Sequence, residues 1–242
     1  SELLRASLLC PRALSKKGKY LIGEQDEMSG LPDFRLETHF AKWEFQARHH
    51  LTASDAESMS LPELLALASP EDRAGFEGMW LGYTETFGAP DLRAAIADTY
   101  AHQDAGNILC FAGASEGIFA ANSVLLDKDA HAIVITPNYQ SHETLPLAIC
   151  DATGVPLDPD DNWSLHIDRV AAAIRPNTKL VLIELVSNPT IRIADLDGIA
   201  ALCNERGILL AVDNTFTTPL AVRPLERGAD IVIHSVTKLM AG

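Results

Sequence analysis

Apolar runs of strand length, each separated from the next by a helix-length segment, constrain the fold of this chain more than any other feature. The runs are ILCFA (108–112), HAIVIT (131–136), KLVLIEL (179–185), ILLAV (208–212) and DIVIH (230–234). Between them lie segments with helix-compatible spacing at 116–126, near 142–150, at 167–174 and at 194–206, and a short strand is expected at 155–157. Strands that read as almost continuous apolar runs are buried on both faces. Parallel sheets have that property because their crossover helices cover both sides. The expected fold is therefore α/β, a three-layer αβα arrangement around a mainly parallel sheet.

Upstream of the alternation the pattern is helical. Leu36, Phe40 and Trp43 share a helix face within 34–49, and Ala89-Pro90 opens a helix that reaches about 101. Ser60 and Glu63 form a capping box, with Pro62 in the first turn, and predict a helix through about Ala68. Residues 1–32 mix Gly, Ser, Lys and Glu without a period and read as an extension or arm; 33–242 read as one domain. No internal repeat or low-complexity linker interrupts it.

Charge narrows the function classes. The net charge is −14 and no Lys/Arg block stands out, which argues against nucleic acid or an anionic membrane as partner. No apolar run approaches the roughly 20 residues that span a bilayer. The apolar patch Leu8–Cys10 is too short for a secretory signal, and Glu2 with the acidic stretch after Gly23 argues against a transit peptide, so the expected location is cytoplasmic. Cys10, Cys110, Cys150 and Cys203 form no CxxC pair and read as free thiols; no spacing suggests a metal site.

Two strand ends carry the chemistry. The run ILLAV stops at Asp213, and the run DIVIH is followed by Ser235, Thr237 and Lys238. Ligands of open α/β sheets bind at the carboxyl ends of the strands, so this acid and this lysine are expected at one mouth. A lysine amine can form a Schiff base with an aldehyde cofactor, and a carboxylate can keep a pyridine nitrogen protonated so that the ring draws electrons. Ser235 and Thr237 could bind a phosphate. So could Gly113, Ala114 and Ser115, where a turn opens a helix and presents backbone N–H groups. Tyr139 follows the run HAIVIT and could stack on a planar ring. Asn188 follows KLVLIEL and could donate to a phenolate oxygen. Each of these residues alone also has an ordinary reading as a turn, cap or core-covering side chain; their combination points to a cofactor.

DNTF (213–216) followed by GADIVIHSVTK (228–238) resembles the cystathionine synthase and lyase family of pyridoxal 5′-phosphate (PLP) enzymes, of fold type I, over about 187–242. Residues from about 33 to 190, including GASEGIF and TPNYQSH, resemble class I/II aminotransferases of the capreomycidine-synthase-like branch. The resemblance implies Lys238 as the Schiff-base lysine, Asp213 as partner of the ring nitrogen, Gly113, Ala114, Ser115, Ser235 and Thr237 around the phosphate, Tyr139 on the ring face and Asn188 at the ring hydroxyl. It also implies that Tyr83 reaches the phosphate of a neighbouring subunit, hence a homodimer or homotetramer. Phe216 stands where classical aminotransferases place a tyrosine. The chain reaches only four residues past Lys238, so a small C-terminal domain with a substrate-gripping arginine is expected to be absent. The first expectation is an aminotransferase acting on an amino acid and a keto acid. A lyase or γ-replacement enzyme on sulfur amino acids is the second, and a non-catalytic binding module the third.

Overall fold

The computed structural model describes residues 31–52 and 54–240; the arm expected at 1–32 lies almost wholly outside them. Four helices come first: α1 (Arg35–Trp43), α2 (Leu61–Leu67), α3 (Pro70–Glu77) and α4 (Pro90–Ala97). The capping box expected for α2 is present, with the Ser60 hydroxyl accepting from the Glu63 N–H and the Glu63 carboxylate accepting from the Ser60 N–H. Helix α3 was not legible in the apolar pattern, because none of its residues is buried; Ser69 caps it and Pro70 opens it.

The sheet follows. After α5 (Ala114–Leu125) come β1 (His131–Thr136), α6 (Ser141–Ile149), β2 (Asp151–Pro156), α7 (Ile167–Ala173), β3 (Thr178–Glu184), α8 (Leu196–Arg206), β4 (Leu209–Asp213), the short α9 (Thr218–Ala221) and β5 (Ile231–Ile233). Strand order is β2-β1-β3-β4-β5 and every pair is parallel. Side chains alternate between two cores. Ile133, Ile135, Val181, Ile183, Leu210 and Val212 pack with Val170 of α7 and with Leu196, Ile199 and Cys203 of α8. Ala132, Val134, Leu180, Leu182 and Ala211 face the other way, against the ends of α5 and α6. The three-layer expectation therefore holds. Each fully buried Ile, Leu or Val contributes about 1.5–3 kcal/mol.

One expected strand is missing. ILCFA at 108–112 has no ladder partner: the Cys110 N–H donates to the Phe87 carbonyl, and Leu109 and Phe111 are 55% and 44% exposed. An apolar run becomes a strand only where a neighbour takes its N–H and C=O groups, and within the described residues neither sheet edge does so. The 155–157 strand is longer than expected, spanning Asp151–Pro156. Cys150 and Cys203 are buried free thiols, while Cys110 is part-exposed. Among the described residues no helix is long and apolar enough to cross a membrane.

Topology fixes where a ligand can sit. Strands β1 and β2 run outward on one side, and β3, β4 and β5 on the other. The β1–α6 loop leaves toward one face and the β3–α8 loop toward the opposite face. The crevice opens where such connections part, at the carboxyl ends of β1 and β3.

Candidate functional site

Asp213, the last residue of β4, is central to this mouth. It lies across the ladder from Glu184 on one side and Ile233 on the other. Its side chain is nearly buried, with Oδ2 2.9 Å from His142 Nε2 and Oδ1 accepting the Thr215 N–H at 2.9 Å. Burial alone would raise its pKa, but the His142 and Thr215 bonds outweigh burial and hold the carboxyl below the ordinary range. His142 is fully buried in the first turn of α6, and its Nδ1 has no partner among the described residues.

Glu184, the last residue of β3, behaves oppositely. Burial is the largest influence and pushes its carboxyl up to about 7, opposed by His142 and by two backbone N–H groups and assisted by Asp213. Those N–H groups belong to Tyr139, at 3.1 Å from Oε1, and Asn188, at 2.8 Å from Oε2. His142, Glu184 and Asp213 offer atoms within 4.8 Å of one another. Sequence spacing shows no such constellation, yet folding assembles it. The facing atoms of His142 and Asp213 are spent on each other and those of Glu184 on the backbone, so the cluster is a hydrogen-bonded imidazole–carboxylate pair beside a clamped carboxyl.

Tyr139 is held edge-on by two rings, Phe34 at 5.2 Å and His142 at 6.1 Å between centroids. Its hydroxyl lies 3.3 Å from Ser115 Oγ at the start of α5. Gly113 caps α5, and a Cβ there would meet nothing within 4 Å, so space is open above the first turn. An anion at this N-terminus would face unpaired N–H groups.

The lysine segment is tied to the acid segment. The Ser235 N–H donates to Thr215 Oγ1 at 2.9 Å, the Asn214 N–H to the Ile233 carbonyl at 2.8 Å, and Ser235 Oγ lies 3.0 Å from Thr237 Oγ1. Lys238 Nζ lies 3.2 Å from Asp55 Oδ1, a pair open to solvent. Behind the segment, Tyr100 donates or accepts at 2.7 Å with His234 Nε2; burial raises the Tyr100 hydroxyl to about 12 and lowers His234, which keeps both neutral.

Folding thus gathers Ser115, Tyr139, Asn188 and Asp213 around the β1–β3 crevice, with Ser235, Thr237 and Lys238 anchored beside Asp213 through Thr215. Tyr83 joins no other described residue; it is fully exposed. Sequence reasoning missed His142, Glu184, Thr215 and Asp55. Glu184 carried a signal, being an acid inside an otherwise apolar run, and His142 stands three residues after Tyr139. Thr215 and Asp55 carried none.

The geometry suits a planar cationic ring with a phosphate. A buried carboxylate held ionised at a strand end can pair with a protonated ring nitrogen, an aromatic side chain stands at the crevice, and a helix N-terminus with open space above it suits an anion.

The profile of Cys/Met metabolism PLP-dependent enzymes matches residues 91–242. Cystathionine beta-lyase MetC of Staphylococcus haemolyticus is 40% identical over 137 residues, which are 57% of this chain and 35% of that protein. The Bacillus subtilis cystathionine gamma-synthase/O-acetylhomoserine (thiol)-lyase is 53% identical over 75 residues, 31% of this chain and 20% of that protein. A PLP-dependent aminotransferase structure from Streptococcus suis superposes with a TM-score of 0.77 at 24% identity, covering 86% of this chain and 59% of that one, a likeness of fold. The chain spans well under half the length of these curated relatives. With its profile match running through Asp213, Lys238 and the whole parallel sheet, the chain belongs to the Cys/Met-metabolism family of PLP-dependent enzymes.

Proposed function

We propose that this chain is the cofactor-holding part of an enzyme that eliminates or replaces a group on the side chain of a sulfur-containing amino acid. The observation that carries the reading is the buried, ionised Asp213 at the sheet mouth, with the Lys238 segment hydrogen-bonded beside it. When bound, PLP supplies an electron sink for charge that develops at the substrate α-carbon.

The chain's own residues then divide the work. Lys238 would hold the cofactor through its aldehyde, and its amine would be the group that moves the substrate α-proton. Its contact with Asp55 is exposed, and such pairs are worth only about 0–1 kcal/mol, so the amine is readily released. Asp213 keeps the ring nitrogen protonated, and His142 keeps Asp213 ionised. Gly113, Ala114, Ser115, Ser235 and Thr237 bind the phosphate. Tyr139 covers the ring face and Asn188 orients the ring hydroxyl. Tyr83, fully exposed, is assigned to the site of a second subunit in a homodimer or homotetramer. The relatives named for lyase and synthase activity support elimination or replacement over transamination, and so does Phe216, which cannot offer a hydroxyl to the ring oxygen.

Transamination is the competing reading, resting on the resemblance of residues 33–190. Incubation of the PLP-loaded protein with L-cystathionine, once without and once with 2-oxoglutarate, separates the two. Release of a thiol and a keto acid is expected. Amino transfer to 2-oxoglutarate without thiol release would establish transamination instead, and borohydride reduction followed by peptide mapping must find the label on Lys238.

A further inference from the structure

Two loops face the crevice, and they leave the sheet in opposite directions. The β1–α6 loop carries Tyr139 and the β3–α8 loop carries Asn188. Each has its own internal order. Tyr139 is fixed edge-on by Phe34 and His142. The Asn188 loop is closed by the Ser187 N–H donating to the Arg192 carbonyl and the Ile191 N–H to the Ser187 carbonyl. These contacts set the shape of each loop but not the spacing between them. One side chain bridges that spacing: Glu184 accepts the Tyr139 N–H on Oε1 and the Asn188 N–H on Oε2.

We propose that Glu184 is a positioning residue, a single carboxyl that clips the Tyr139 loop to the Asn188 loop and so sets the width of the cofactor crevice. The assignment rests on the reading of Tyr139 and Asn188 as ring-facing residues. The clip itself rests on the two hydrogen bonds. A backbone N–H bonded to a side chain that spans two elements cannot move without the other, because the lost bond leaves a buried donor unsatisfied.

The clip also responds to protons. The titratable groups that face Glu184 are His142 from α6 and Asp213 from β4, and Arg192 lines a small cavity with it, its guanidinium donating to Asn162. With the loops closed, the Glu184 carboxyl sits near 7, above its ordinary value. Opening returns it to water, where it ionises at the ordinary carboxylate pKa. Closure is therefore fully favoured below that ordinary value and loses support as pH rises through about 7.

Amide hydrogen exchange of the protein without cofactor tests the clip directly. After correction for the intrinsic pH dependence of exchange, protection at the Tyr139 and Asn188 amides is expected to fall in parallel as pH rises from 6 to 8. In Glu184→Gln that parallel pH response is expected to vanish, because glutamine has no proton to lose. In Glu184→Ala both amides are expected to exchange at least tenfold faster, and PLP, followed by its absorbance on titration, to bind at least tenfold more weakly. Independent behaviour of the two amides, or a wild-type pH response that survives in Glu184→Gln, overturns the clip; the glutamine variant decides this even where the alanine variant fails to fold. If the amides respond as expected while the wild-type protein takes up no PLP, the clip stands and its link to the cofactor falls.

Discussion

Asp213 is an acid that folding takes out of water and then keeps charged. Its ionisation depends on the His142 imidazole and on the side chain and backbone N–H of Thr215, because burial by itself works against it. Replacing it by asparagine keeps the shape and the Thr215 contact but removes the charge that would balance a protonated ring. Asp213→Asn is therefore expected to retain PLP while exchange of the substrate α-hydrogen with deuterated solvent slows by roughly 100-fold. Proton NMR of the amino acid checks this, and an unchanged exchange rate would remove Asp213 from the role assigned to it. The same residue shows what a single position reveals in advance. An acid at the end of an apolar run announces a strand end and a candidate charge. Its partner His142, 71 positions upstream, announces nothing, since no local pattern links a helix-start histidine to a distant strand.

At the scale of elements, α8 shows how local chemistry delimits a helix. The Asp195 side chain accepts the Gly198 N–H at its start, and Gly207 ends it at φ +64°, a left-handed conformation that a residue with a Cβ adopts only under strain. Ile199 and Cys203 then face the core from one side of the helix. Loss of the cap is expected to cost about 1 kcal/mol. Urea denaturation of Asp195→Ala against the parent measures it, and an unchanged midpoint would mean that packing alone holds α8 in place. The sheet strands and α5 to α8 were legible to within a few residues because apolar period and turn chemistry agree there. The run 108–112 was not, because strand formation depends on a neighbour and apolar composition cannot supply one. Helix α3 escaped notice for the converse reason: it buries no side chain and leaves no period to read.

Exposed apolar side chains occur all along the described residues, and three of the barest stand next to one another. Trp80, Leu81 and Tyr83 are 86%, 93% and 106% exposed. Isolated apolar side chains on a surface are ordinary, but a run of adjacent ones this bare marks a contact surface. The chain is expected to sediment as a dimer or larger at micromolar concentration, and the double change Trp80→Asp, Leu81→Asp to shift it toward monomer. A monomer throughout would remove the shared-site role of Tyr83. The strongly negative net charge of −14 opposes association at low salt, so the dimer should strengthen as salt screens it.

By itself the sequence determined the layered fold, the parallel sheet and the mouth at the carboxyl ends of its strands, where Asp213 lies. All of these follow from the period of apolar residues and from the rule that strand ends in such sheets carry the polar groups. It also determined the family, through the residues around the lysine. Only the tertiary structure decided the state of the site. The pairing of His142 with Asp213, the clamping of Tyr139 and Asn188 by Glu184, and the seating of Ser235 on Thr215 are contacts between positions far apart in the chain. Charge states follow from burial and from neighbours a few ångströms away, and neither is a property of a residue's place in the sequence.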